Sequence, residues 1–249
     1  MKFLFLLIFY CISFQVFAGT RDPSTEDSKY VEYGSKFNFV LRICGIYADD
    51  TKFCASSVAI GPRWIITAAH VVNNSKQCFV TINNEKKCVD QIICHKNYKE
   101  SIFGEYDIAV GHVETDLGLD FYPGLYSQND EVGKICSIAG YGLTGTFNTG
   151  IQYSDGNRRA GSNIIDSIDR KLLVCTPSRH NRTGLEFMIG SGDSGGGLFI
   201  GNKLAGINSC VMATDTKPDS TYGDEAGHTR VSLYIDWVNK NINGDHDEK

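Results

Sequence analysis

Gly190-Ser191-Gly192-Asp193-Ser194-Gly195-Gly196-Gly197-Leu198 sets five glycines around Ser194. Glycine takes backbone angles that other residues avoid, and it lets a neighbouring chain come close. A serine in such a turn can expose its hydroxyl while the N–H groups of Gly192 and Ser194 converge on one point. Donors aimed in that way suit the oxyanion that develops in acyl transfer. A flexible glycine loop accounts for this stretch equally well, so the rest of the chain has to decide.

A serine hydroxyl is a poor nucleophile without a base. Trp64-Ile65-Ile66-Thr67-Ala68-Ala69-His70-Val71-Val72 offers one. An apolar strand runs into two small residues and then His70, which leaves room for the imidazole to reach a neighbour. His95, His112, His180, His228 and His246 lack this setting. A histidine base needs an acid to fix its tautomer. Asp107 stands directly before the apolar run Ile108-Ala109-Val110, a placement that calls for a partner, although a turn or cap role is the ordinary alternative. The candidates occur in the order His70, Asp107, Ser194.

Around them the chain is a series of short β-type runs. Lys36 to Ile43 alternates, and Ser56 to Ile60, Trp64 to Thr67, Cys78 to Ile82, Cys88 to Ile93, Ile108 to Val113, Ile135 to Ala139, Gly197 to Ile200 and Lys203 to Asn208 are similar. Asp49-Asp50, Gly61-Pro62, Asn83-Asn84 and Gly201-Asn202 punctuate them. Many short strands without helical patterns between them predict an all-β sandwich or barrel. Only Ser232 to Ile242, with Tyr234, Ile235, Val238 and Ile242 on one face, predicts a helix.

The N-terminus supplies a compartment. Met1-Lys2, an apolar run from Phe3 to Phe17 and Val16-Phe17-Ala18 have the layout of a secretory signal peptide over 1–18. The run is short for a membrane span, and no membrane partner is expected. Residues 19–36 read as a polar leader or pro-segment, and 244–249 as a polar tail. A cut after Ala18 removes Cys11, one of 9 cysteines, and leaves an even set. An even set in an oxidising compartment predicts disulfides. No Cys-x-x-Cys pair suggests a zinc site, so neither metal nor cofactor is expected. Asn73-Asn74-Ser75 and Asn181-Arg182-Thr183 are glycosylation sequons. With 21% charged residues and a net charge of −5, the chain is neither a disordered tail nor a basic nucleic-acid binder.

Thr67-Ala68-Ala69-His70, Asp107-Ile108-Ala109 and Gly192-Asp193-Ser194-Gly195-Gly196 together resemble the chymotrypsin/trypsin-like serine proteases. Ala139-Gly140-Tyr141-Gly142, Leu204-Ala205-Gly206-Ile207 and Thr229 to Trp237 extend the likeness, in order, from about residue 37 to residue 242. The resemblance implies two packed six-stranded antiparallel β-barrels with a C-terminal α-helix, and a protease domain over 37–243. It implies His70, Asp107 and Ser194 as the catalytic residues, with the N–H groups of Gly192 and Ser194 as the oxyanion hole. The implied activity is that of a secreted serine endopeptidase acting on protein or peptide substrates, with protein protease inhibitors as further partners. A non-catalytic homologue serving as a binding or regulatory module is the alternative. No oligomeric state is implied.

Departures from the family pattern sharpen these expectations. Animal members commonly begin with Ile-Val-Gly-Gly, whose amino group pairs with the aspartate before the catalytic serine, here Asp193. No such motif lies between Gly19 and Phe37. Either activation is unusual or another cation, such as an arginine, serves Asp193. The cysteine usual after the catalytic histidine is Val71 here, and the one usual four residues before the serine is Gly190. Cys44–Cys54 and Cys78–Cys88 are therefore expected as local, hairpin-like pairs. The pocket aspartate of trypsins, six residues before the serine, is Met188, which argues against trypsin-like specificity. Ser209-Cys210-Val211 would form the pocket wall, and Val211 in place of a frequent glycine would narrow it toward small or medium apolar side chains. His228 near the pocket would instead favour an acidic residue.

Overall fold

The computed structural model describes residues 19–102, 104–153, 155–180, 182–213 and 215–244. The expected signal peptide, Asn181 of the second sequon and residues 245–249 lie outside the described residues. The first elements are β1 (Thr20–Arg21) and α1 (Asp27–Ser35). Next come β2 (Val40–Tyr47), β3 (Lys52–Gly61), β4 (Trp64–Thr67), the short α2 (Ala69–Val72), β5 (Ser75–Ile82), β6 (Glu85–Cys94) and β7 (Ala109–Val113). The second half holds β8 (Gly124–Leu125), β9 (Ile135–Gly140), β10 (Thr144–Thr146), β11 (Gly150–Tyr153), β12 (Arg159–Ile164) and β13 (Ser167–Asp169). It continues with β14 (Leu172–Cys175), β15 (Phe187–Met188), β16 (Gly197–Ile200), β17 (Lys203–Met212), β18 (Glu225–Arg230) and α3 (Ile235–Ile242).

The first half closes on itself as a barrel in the order β2-β3-β4-β7-β6-β5. Closure removes the unpaired edges that an open sheet exposes. Val40, Ile43, Val58, Ile66, Val80 and Val110, all without exposed surface, fill its core. The second half is an open sheet in the order β12-β9-β16-β17-β18-β14-β13, with β8 beside β17. A smaller sheet, β11-β10-β1-β15, flanks it. The second barrel is thus larger and less closed than the six strands expected. Ile138, Leu173, Phe187 and Leu198 belong to its own core. α3 follows a 3-10 turn over Val231–Leu233, so the expected C-terminal helix begins a few residues late, at Ile235. It buries Val238 completely.

Residues 19–36 are packed chain rather than a loose leader. β1 runs parallel to β10 and antiparallel to β15. Tyr30 of α1 is wholly buried and its hydroxyl donates to Glu186 O at 3.1 Å. Arg159 on β12, only 1% exposed, holds Asp27 of α1 at 2.6 Å and Asp155 at 2.7 Å. Its guanidinium keeps both carboxyls below their usual range. Such a buried cation needs both acids, since breaking a buried pair costs about 3–5 kcal/mol.

Cysteine pairing follows strand register. Cys44 and Cys54 stand directly opposite on β2 and β3 and form a disulfide, as expected. The expected Cys78–Cys88 bridge is absent. Cys78 opposes Val89 while Cys88 opposes Phe79. Neighbouring residues on a strand point to opposite faces, so Cys78 is buried and Cys88 exposed. Cys94, Cys136, Cys175 and Cys210 are also thiols, although Cys136 and Cys175 bring their sulfurs within 3.9 Å in the second core.

Candidate active site

Strand pairing places the first two candidates. Thr67 on β4 pairs with Ala109 on β7. His70 lies three residues beyond Thr67, and Asp107 lies two before Ala109, so both emerge at the same end of the barrel. Ala68 and Ala69 are fully buried and leave the turn into α2 tight. The His70 N–H donates to Asp107 Oδ1 at 2.9 Å, and His70 Nδ1 lies 2.7 Å from Oδ2. The imidazole is about a third exposed, whereas the Asp107 carboxylate is nearly buried.

The second barrel adds a partner. β17 carries a bulge between Asn208 and Cys210. A bulge re-aims the side chain at the irregularity, and the Ser209 hydroxyl donates to Asp107 Oδ2 at 2.6 Å. Thr229 Oγ1 donates to the Asp107 carbonyl at 3.0 Å. Burial pushes the Asp107 carboxyl up, but the hydrogen bonds from His70 and Ser209 outweigh it and hold the group below the ordinary aspartate value. Ser209 therefore belongs with His70 and Asp107 rather than only with a pocket wall.

Ser194 sits in the loop before β16. Gly192 and Gly195 adopt φ of 90° and 82°, the left-handed region where glycine is favoured. Space enforces the choice at Gly195, where a Cβ would lie 2.0 Å from Thr67 Oγ1 and 2.2 Å from Ser56 O. This close approach sets the serine loop against the strand that leads to His70. Ser56 fastens it further: its N–H donates to Ser194 O at 2.9 Å and its hydroxyl to Gly192 O at 3.0 Å. Within the loop the N–H groups of Asp193, Gly195 and Gly196 all have backbone acceptors. Those of Gly192 and Ser194 donate to nothing among the described residues. No hydrogen bond among the described residues joins Ser194 Oγ to His70, a contact that commonly tightens only when substrate is present.

Asp193 is completely buried and accepts three N–H donors: Gly19 at 2.6 Å, Gly190 at 2.9 Å and Gly142 at 2.8 Å. Burial pushes its carboxyl up to about 6 despite them. Among the described residues no arginine bonds Asp193 in place of the expected cation. Gly19 admits no side chain there, since a Cβ would fall 2.2 Å from Met188 O.

The remaining expectations fare differently. Met188 is fully buried in the second core, on β15 opposite Thr20. Cys210 and Val211 are half-buried on β17, and Cys210 faces Gly227, where a Cβ would touch its sulfur. Burial pushes the Cys210 thiol up to about 12. His228 does not face a pocket. It is wholly buried, bonded to Asn208 Oδ1 at 2.9 Å, and burial drives its imidazole down to about 3. Sequence reading missed Gly19 and Ser56. Gly19 was signalled by its place directly after the expected cut, whereas nothing in Ser56-Ser57 marked Ser56 apart.

Fold and site together define a unit of the serine-protease type. The profile of the Trypsin family matches residues 41–238, and the chain belongs to that family. It is 26% identical over 237 residues to Serine protease SSP1 of Scolopendra subspinipes, covering 84% of this chain and 80% of that protein. It is 27% identical over 218 residues to Brachyurin of Leptuca pugilator, covering 78% and 89%. Among solved structures, a collagenase matches with a TM-score of 0.68 at 18% identity, over 83% of this chain and 94% of that one. Neuropsin, a serine protease of mouse brain, matches at 0.64 and 20% identity, over 80% and 93%. These two speak for the fold.

Proposed function

We propose that this chain is a secreted serine endopeptidase that hydrolyses peptide bonds through an acyl-enzyme. Ser194 Oγ attacks the scissile carbonyl while His70 Nε2 takes the hydroxyl proton. Asp107, holding Nδ1–H, leaves Nε2 free as acceptor and stabilises the imidazolium. The N–H groups of Gly192 and Ser194 receive the carbonyl oxygen as it becomes anionic. Each such donor is worth about 3–4 kcal/mol in enzymes of this kind. His70 then protonates the leaving amine, the C–N bond breaks, and a water molecule repeats the sequence to free Ser194.

The observation that carries this reading is the pair of N–H groups flanking Asp193 that donate to nothing among the described residues, in a loop packed against the strand that leads to His70. Maturation is part of the proposal. Cleavage after Ala18 turns the Gly19 N–H into an ammonium beside Asp193, so signal removal alone completes the site and residues 19–36 stay in the enzyme. Met188, standing where trypsins carry the pocket aspartate, speaks against basic side chains in the pocket. Labelling of the secreted protein by a fluorophosphonate, lost in Ser194→Ala, is the test. No labelling of chain beginning at Gly19, together with no turnover of a peptide library, would leave the non-catalytic homologue standing.

A further inference from the structure

A groove of about 800 Å³ is lined by Arg42, Lys52, Lys86 and Arg158, with Phe53 and Tyr141 among its walls. None of its lining residues is acidic. Among the described residues no ion pair engages any of the four cations. That is unusual in a chain of net charge −5, whose other arginines and lysines repeatedly find carboxylates. Arg158 is a fixed charge: its Nε and Nη1 donate to Gly34 O at 2.8 Å and Val40 O at 2.9 Å, and Nη1 also reaches Tyr141 Oη at 3.0 Å. Carbonyl and phenol oxygens hold the guanidinium without neutralising it. Lys86 Nζ lies 4.2 Å over the Phe79 ring, which likewise leaves its charge uncompensated.

The groove is tied to the Ser194 loop through buried Ser56. The Tyr141 N–H donates to Ser56 Oγ at 2.9 Å, and Ser56 in turn holds Gly192 O and Ser194 O. Cys54, another wall residue, is two positions before Ser56. The groove shares no residue with Met188 or with Ser209-Cys210-Val211. A peptide with its acyl half along β17 would have its other half free to reach Tyr141 and Phe53. Clustered like charges in a concave site focus their field and select the opposite sign.

We propose that this groove binds the leaving-group half of the substrate and selects acidic side chains on that side of the scissile bond. The inference rests on the endopeptidase reading above and names its substrate class. Aromatic walls suit the carbon stems of glutamate and aspartate, and the unpaired cations suit their carboxylates. Three such pairings at the rim, each modest because the rim is open to water, amount to roughly tenfold in kcat/KM.

The test uses the full secreted chain and matched internally quenched peptides. They share one acyl half and carry either glutamates or glutamines at three leaving-group positions. The expected result is about tenfold higher kcat/KM for the glutamate peptide, shrinking as salt rises. In Arg42→Gln/Lys86→Gln the ratio of the two rates falls toward one, while Lys203→Gln, outside the groove, leaves the ratio as it was. Equal rates in the parent chain, or a ratio that survives the double substitution, would overturn the proposal. Fluorescence anisotropy with the leaving-group peptides and with a sulfated oligosaccharide separates the failures. Binding of the oligosaccharide without discrimination between glutamate and glutamine peptides would also overturn it. Absence of any turnover, with the glutamate peptide still bound preferentially and that preference lost in the double variant, would instead break the endopeptidase reading and keep the groove.

Discussion

Two aspartates stand at the candidate site, both almost without exposed surface, and they are served in opposite ways. Asp107, from the first barrel, is met by the His70 imidazole and the Ser209 hydroxyl as well as a backbone N–H. Asp193, from the second, is met by backbone N–H groups alone. Burial opposes the charge in both. Side-chain partners reverse that effect at Asp107 and hold its carboxyl low, while amides do not at Asp193, whose carboxyl is pushed up to about 6. A carboxylate beside a group that becomes a cation has its countercharge built in. One cradled by amides still lacks a full charge, and the Gly19 nitrogen would supply it only if the chain were cut after Ala18, as proposed.

Removing the charge of Asp107 should have the largest effect. Asp107→Asn keeps the shape but lets the imidazole settle in the wrong tautomer. Stopped-flow or steady-state turnover should fall about 10⁴-fold, the size of this loss in serine protease triads. A loss below tenfold would mean that His70 does not depend on Asp107. Next comes the second aspartate. A chain with one extra residue before Gly19 has an amide where a chain cut after Ala18, as proposed, has an ammonium. Lifting the Asp193 carboxyl from 3.8 to about 6 corresponds to about 3 kcal/mol. Fluorophosphonate labelling of the extended chain should therefore slow about 100-fold. Equal rates would detach Gly19 from the site.

Much of this contrast was legible in the residues. His70 after two alanines, Asp107 before an apolar strand and Ser194 among glycines each stood out, because close approach and strand-end placement leave marks on composition. The barrel class was legible for the same reason: alternation records which face is buried. The partners were harder to see. Ser209 turns toward Asp107 only because β17 bulges, and a bulge depends on pairing between distant strands. Asp193 has no local signature for its partner, which is 174 positions away. The helix α1 was hidden because its mostly polar sequence buries only Tyr30 and Gly34, and a buried Arg159 does much of the fastening. Cys78 and Cys88 looked like a hairpin pair until register placed them on opposite faces.

Acid should separate the two aspartates by sign. Asp107 has a lowered carboxyl, so the stability it contributes is present above the unfolded value near 3.8 and is lost as pH falls through the folded one. Asp193 without an ammonium has a raised carboxyl, so its contribution is full below 3.8 and is lost as pH rises through about 6. Relative to the mature chain, the extended chain should lose up to about 3 kcal/mol between pH 4 and pH 7. Urea unfolding of both chains at each pH measures it. A difference that does not change with pH would show that Asp193 is not the group responsible.

The smallest expected effect isolates what a side-chain donor adds to a buried carboxylate. Ser209→Ala removes one of the bonds to Asp107 Oδ2 and leaves both contacts with His70 in place. A hydrogen bond to a charged group is worth about 1.5–3 kcal/mol, part of which a water molecule can restore at this cleft. Turnover should fall about tenfold with KM little changed. The acid limb of the rate profile should also move, because Asp107 loses a bond that favours its charged form. Threonine at the same position keeps the hydroxyl and should recover most of the loss. If Ser209→Ala instead raised KM and left kcat and the acid limb alone, Ser209 would act only as a wall of the substrate pocket. Asp107 would then owe its low carboxyl to His70 alone, and the two aspartates would differ by a single partner.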